Sequence, residues 1–183
     1  MDPRIARTTD AVRHAVLAVL GDRGYAAFTV EAVADEAGVA KSTIYRHWPS
    51  RLALVADALE TLNEQPDPHV DGGSARAQVR VLVAHLADSF GDSVLSACIP
   101  ALVEAAEHEP EVAAFLHSYS AARRGRLVDT IQRGVDSGEL APDVDAELAA
   151  LALVGPIVYR RTLTPRPLSL RRAAQLVDLV LGP

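Results

Sequence analysis

Between Ala37 and Ala56 the chain carries three basic side chains, Lys41, Arg46 and Arg51, and no acidic one, although the whole protein has a net charge of −6. Hydroxyls and rings are interleaved with these cations: Ser42, Thr43, Tyr45 and His47. On a helix, Lys41 and Tyr45 form one i,i+4 row and Ser42 and Arg46 the next, so the four share a face, flanked by Thr43 and His47. Ile44 and Trp48, also four apart, point the other way together with Val39. A face offering a lysine, an arginine, hydroxyls and a phenol suits phosphate oxygens and base edges. The simpler reading is an ordinary solvated helix face. Residues 1–65 contain seven basic and nine acidic side chains, close to balanced, so the acid-free stretch is a local positive strip. Such a strip fits a protein that meets a polyanion through one surface only.

These groups need a scaffold, and the flanking sequence describes one. From Ala6 to Leu20 the apolar residues Ile5, Ala6, Val12, Val16, Leu17 and Leu20 follow a helical period, which Arg23-Gly24 should end. Phe28 is an anchor, and Thr29 is placed to cap the next helix. Val30–Ala37 reads as a short helix, Gly38-Val39-Ala40 as a turn and Lys41–Trp48 as a second helix. A helix-turn-helix needs particular residue types at particular distances, because its helices cross closely through a short turn. Ala34 is small where the helices approach, Gly38 can take the positive φ of a tight turn, and Ile44 is apolar where the second helix must face the core. After Trp48-Pro49 a further helix begins with Ser50 as its cap. Arg51 lies in its first turn, where a cation opposes the helix dipole. A phosphate bound at that terminus explains the residue; an unremarkable surface arginine is the alternative.

The run from Phe28 to Leu59, with Thr-Ile-Tyr-Arg-His-Trp followed by Ser-Arg as its most specific part, resembles the DNA-binding segment of the TetR family of transcriptional repressors. The strong match covers roughly the first third of the chain. The resemblance implies that Lys41, Ser42 and Arg46 face bases and that Thr43, Tyr45, His47 and Arg51 contact phosphates. Arg51 stands where the family usually has lysine, and Trp48 replaces a more usual phenylalanine. The resemblance also implies an all-α fold, with an N-terminal three-helix helix-turn-helix domain and a C-terminal helical ligand-binding and dimerisation domain. The expected division is 1–50 for DNA binding and 51–183 for sensing and dimerisation, connected by the helix over 50–64.

In the remainder, Gln65 to Ser74 reads as a linker rich in proline and glycine. Val79, Leu82, Val83, Leu86 and Phe90 share one helical face, ended by Gly91. A helix over Val94–Glu107 should be kinked by Pro100, and Pro110 opens a long helix closed by Gly138 and Pro142. Asp145 caps a helix that carries no charge from Leu148 to Tyr159, and the last helix, Leu170–Leu181, is apolar on two faces. A helix apolar all round must be buried all round. Two such helices from each of two chains would make an intermolecular four-helix bundle, the arrangement by which the TetR family dimerises. Leu151, Val158, Leu176 and Leu179 are the interface candidates, and Arg160 and Arg161 leave its extent open. A fully internal pair in a monomer is the alternative.

Alanine, leucine and valine dominate the apolar residues, which favours helix, and Asn-Gly hairpin signals are missing. No run reaches the ~18 apolar residues of a membrane span. Met1-Asp2-Pro3-Arg4 lacks the apolar core of a secretory signal, so a cytoplasmic protein is expected. Cys98 is the only cysteine, which excludes an internal disulfide or cysteine metal cluster. The six histidines lack zinc spacing, and neither a phosphate loop nor a Gly-x-Ser-x-Gly elbow occurs. Neither an enzyme nor a cofactor is expected. The expected partners are operator DNA, a second copy of the chain and an unidentified small-molecule effector. Phe90, Cys98, Tyr119 and Tyr159 are candidate pocket-lining residues, each with core packing as the simpler reading. A ligand-independent DNA-binding or protein-binding helical module remains the alternative function.

Overall fold

The computed structural model describes residues 3–61, 73–91, 94–164 and 166–182. Among them the chain forms helices α1 (Pro3–Arg23), α2 (Val30–Ala37), α3 (Lys41–His47), α4 (Arg51–Thr61), α5 (Ala75–Ser89), α6 (Val94–Ala106), α7 (Pro110–Asp136), α8 (Ala146–Leu163) and α9 (Leu170–Leu181), and no strand. The fold is all-α. The part of the expected helix beyond Thr61 and most of the linker to Ser74 lie outside the described residues. α6 continues through Pro100 as one helix.

By packing the chain divides into two compact units, residues 1–64 with 94–117 and residues 65–93 with 118–183. In the first unit α1 supplies the central apolar stripe. Val12, Ala15, Val16, Val19 and Leu20 recur every three or four residues and are buried. α2, α4 and α6 pack against α1, and Phe28, Val33, Ile44, Leu54, Val55 and Leu59 fill the space with no more than 1% exposure. Cys98 is wholly buried, its thiol donating to the Leu17 carbonyl at 3.4 Å. Desolvation pushes its pKa up to about 11, so it behaves as a small hydrophobe rather than a thiolate.

In the second unit α5 packs against both α8 and α9, and those two pack on each other. Two helix ends are tied by side chains. Arg76 donates to the carbonyls of Leu181 (3.0 Å) and Gly182, satisfying the open C-terminus of α9. Asp145 accepts from the Leu148 N–H at 2.9 Å as the cap of α8. Ala173, Val177 and Leu181 form the buried row of α9. Tyr159, read from sequence as a possible pocket residue, lies instead on the exposed row of α8.

Two glycines of α7 make opposite demands. A Cβ on Gly134 would sit 2.6 Å from the Ala75 Cβ and 2.8 Å from Leu140 Cδ1, whereas one on Gly125 would meet nothing within 4 Å. The Ala75 Cβ is fixed to its helix and cannot rotate away. Gly125→Ala should therefore raise stability by about 0.5–1 kcal/mol through helix propensity. Gly134→Ala should lower it by about 1–3 kcal/mol through overpacking. Urea midpoints of the two variants test this, and equal shifts of the same sign would contradict the packing described.

Candidate nucleic-acid interface

The turn between α2 and α3 is built from backbone hydrogen bonds. Thr29 Oγ1 accepts from the Ala32 N–H at 3.1 Å and caps α2. At the other end Val39 N–H donates to Ala34 O at 3.0 Å and Gly38 N–H to Asp35 O at 3.3 Å, a Schellman closure. Gly38 has φ 66° and ψ 33°, a left-handed conformation that costs other residues roughly 1–2 kcal/mol. Ala34 is buried at the closure, and Ile44 is completely buried in α3. These three positions give the turn its tightness and seat the second helix.

With Ile44 and Trp48 inward, α3 turns Lys41, Ser42, Tyr45, Arg46 and His47 outward, and Thr43 is half-buried at the edge. Tyr45 is 56% exposed, a large ring left in solvent by the folded chain. His47 packs edge-on against Trp48 with ring centroids 5.7 Å apart. Lys41 Nζ lies 2.9 Å from Glu31 Oε1, both side chains about half exposed. The hydrogen bond and charge of this pair raise the lysine pKa and lower that of Glu31. Lys41 is thus already ion-paired in the free chain, with two N–H donors left over.

At the start of α4, Ser50 Oγ accepts from the Ala53 N–H at 3.0 Å. Arg51 has a packing role that the sequence did not reveal. Its guanidinium lies 4.7 Å from the centroid of the buried Tyr25 ring and 3.6 Å from Glu109 Oε1. It remains partly exposed, so the ring holds it at the helix terminus while its outer edge still faces solvent.

Sequence reasoning also missed the residue that orients this surface. Asp57 of α4 accepts from Arg13 Nε and Nη2, each at 2.9 Å, and from Trp48 Nε1 at 2.9 Å. The carboxylate thus joins α1, α4 and the residue that ends α3. The Arg13 hydrogen bond, helped by that of Trp48 and the arginine's charge, holds Asp57 below the usual carboxylate range against the opposing effect of burial. Arg13 is correspondingly raised, first by the same hydrogen bond. Both shifts express one pair. A contact between residues 44 apart has no local signature.

Family comparisons agree with this geometry. Residues 13–58 match the model for bacterial regulatory proteins of the tetR family, and residues 69–180 match the tetracyclin repressor-like C-terminal domain. The chain belongs to the TetR family of transcriptional regulators and carries its DNA-binding domain. The HTH-type transcriptional regulator YdeS of Bacillus subtilis is 28% identical over 163 residues, covering 88% of this chain and 82% of that protein. The DNA-binding transcriptional repressor TetR of Mycobacteroides abscessus is 29% identical over 167 residues, covering 90% and 87%. A crystal structure of a TetR-family protein from a Rhodococcus species shares the fold, with a TM-score of 0.78 at 21% identity, covering 96% of this chain and 99% of that one.

Asp57 supplies a test of how the interface is held. Its depressed pKa means that its contribution is present above the unfolded value of about 3.9 and is lost as pH falls through the lower folded value. Asp57→Asn removes the charge and turns an amide N–H toward donors. It should cost about 1.5–3 kcal/mol at pH 7, and the gap to wild type should close below about pH 4. Denaturation of both proteins across pH 3–7 measures this; a gap independent of pH would show that the charge is not what matters.

Proposed function

We propose that the protein is a dimeric repressor that binds a pseudo-palindromic operator through α3 and is released by a small-molecule effector. The observation that carries the reading is the division of α3. Its inward side is held by Ile44 and Trp48, while Lys41, Ser42, Tyr45 and Arg46 stand exposed on the opposite side. In this reading Lys41, Ser42 and Arg46 face base edges, and Thr43, Tyr45, His47 and Arg51 hold phosphates, Arg51 at the N-terminus of α4. The likeness to the M. abscessus repressor supports the sign of the regulation. Among the described residues no helix is long and apolar enough to cross a membrane. The proposed operator places the protein in the cytoplasm.

The dimer is supported by what α8 and α9 leave uncovered. Leu148, Leu151, Tyr159 and Leu163 lie at helical spacing on the outward side of α8, and Leu179 on that of α9; Leu163 is 72% and Leu179 81% exposed. Val158 and Leu176 are half-buried beside them. A second copy covering this face gives a four-helix bundle, with the recognition helices one DNA turn apart, roughly 34 Å, or slightly more. An effector that tilts α4 would displace Arg51. It would also displace α3, because Asp57 couples α4 to Trp48. A preference of ~3 kcal/mol for the released state weakens operator binding about 150-fold.

Two measurements test this reading. Arg46→Ala should lose discrimination at one base pair by about 1–3 kcal/mol, whereas Arg51→Ala should weaken all sequences alike and reduce the salt slope by about one phosphate. Identical behaviour of the two variants would contradict the division into base and phosphate contacts. Separately, Leu179→Glu should yield a folded monomer, because the position is already solvated in the single chain and a charge is costly only once a partner buries it. Sedimentation of wild type as a stable monomer at micromolar concentration would exclude the dimer.

A further inference from the structure

Arg51 is held by two groups in the folded chain, and one of them is an anion. Its guanidinium lies 4.7 Å from the centroid of the Tyr25 ring and 3.6 Å from Glu109 Oε1, with the arginine and glutamate side chains 38% and 47% exposed. Tyr25 is fixed in the core. Glu109 has a different setting. It stands at the corner between α6 and α7, immediately before Pro110, the first residue of α7. Its N–H donates to Ala105 O at 2.9 Å, and its carbonyl accepts from the Ala113 N–H at 3.0 Å. The backbone of this one residue therefore finishes α6 and opens α7, while its carboxylate fastens the corner to the first turn of α4. All of these residues belong to the first compact unit.

A carboxylate at this position works against the phosphate contact read for Arg51. A phosphate arriving at the N-terminus of α4 brings a second anion to a cation that already has one, and like charges held side by side repel. The existing pair is partly exposed and therefore weak. The phosphate is backed by the exposed backbone N–H groups of the helix terminus as well as by the guanidinium, so it is the carboxylate that yields. A neutral amide at position 109 keeps the size of the side chain and removes the competition.

We propose that Glu109 is a built-in competitor for the phosphate site at Arg51: it ties the α6–α7 corner to α4 in the free protein, lowers operator affinity, and lets the corner go when DNA binds. The proposal rests on the phosphate role of Arg51 above and names a regulation of that site. By reciprocity, a change that displaces the corner alters operator affinity. Fluorescence anisotropy of labelled operator DNA with the intact protein is the test. Glu109→Gln should tighten binding about twofold to fivefold for each half-site, the range of an exposed charge pair, and the gain should shrink as salt is raised. In an Arg51→Ala background the same substitution should change nothing. Glu111→Gln removes an exposed acid from the first turn of α7 that makes no ion pair among the described residues, and it should leave binding unaltered. With saturating operator, hydrogen exchange at the amides of Glu109 and Ala113 should quicken in wild type but not in Glu109→Gln. An equal gain from Glu111→Gln, a gain that persists with Arg51→Ala, or exchange unaffected by operator overturns the proposal. If Arg51→Ala weakens operator binding while Glu109→Gln does nothing, the phosphate contact stands and the competitor is removed. If Arg51→Ala leaves binding unaltered, the phosphate contact itself falls, and the competition with it.

Discussion

The seating of α3 depends on one carboxylate that satisfies donors from two other segments. Asp57 receives both edges of the Arg13 guanidinium and the indole N–H of Trp48, so α1, α4 and the end of α3 meet at a single charged group. The need is physical. α3 has seven residues, about half of what an isolated helix requires to be even marginally stable in water, and its N-cap residue, Ala40, makes no side-chain cap hydrogen bond. Its conformation and its orientation must come from tertiary contacts. Ile44 supplies burial without direction, whereas the hydrogen bond to Trp48 is directional and sets the angle at which α3 leaves the core.

The same surface is electrostatically restrained. Lys41 is paired with Glu31, and Arg51 with Glu109 and the Tyr25 ring. These are partly exposed pairs of small net value, so a polyanion with a dense row of phosphates can replace them. Their presence still sets a condition on binding, since each displaced carboxylate must return to water without facing the phosphates. Arg46 takes part in no ion pair among the described residues, and it projects from the centre of the exposed face. In the proposed complex such a cation could contact a base without first breaking an ion pair.

In the second unit the polar and apolar interactions divide the work differently. Arg76 closes the C-terminus of α9, and Asp145 caps α8. The helices are thus finished at their ends while Leu148, Leu151, Leu163 and Leu179 stay exposed. Exposed leucines on two neighbouring helices are the kind of surface on which the proposed second copy would sit.

Sequence by itself determined the parts that depend on local rules. Composition, rich in alanine and leucine and without hairpin signals, identified the all-α class, Thr29, Ser50 and Asp145 announced their caps, Gly38 announced the turn, and the i,i+4 rows of α3 separated Ile44 and Trp48 from the polar face. Each of these is set within a few residues, where propensity, capping and turn geometry act. Only the tertiary structure decided which charges are paired and which apolar residues stay uncovered. Arg13 and Asp57 are 44 positions apart, as Lys41 and Glu31 are ten apart on different helices, and no periodicity links them. α8 carries no charge from Leu148 to Tyr159 and so offered no polar side to separate from an apolar one; Ile157 is buried and Tyr159 exposed only because α5 and α9 cover one side of it. Local sequence specifies which faces exist, and the packing of distant segments determines which face each one meets.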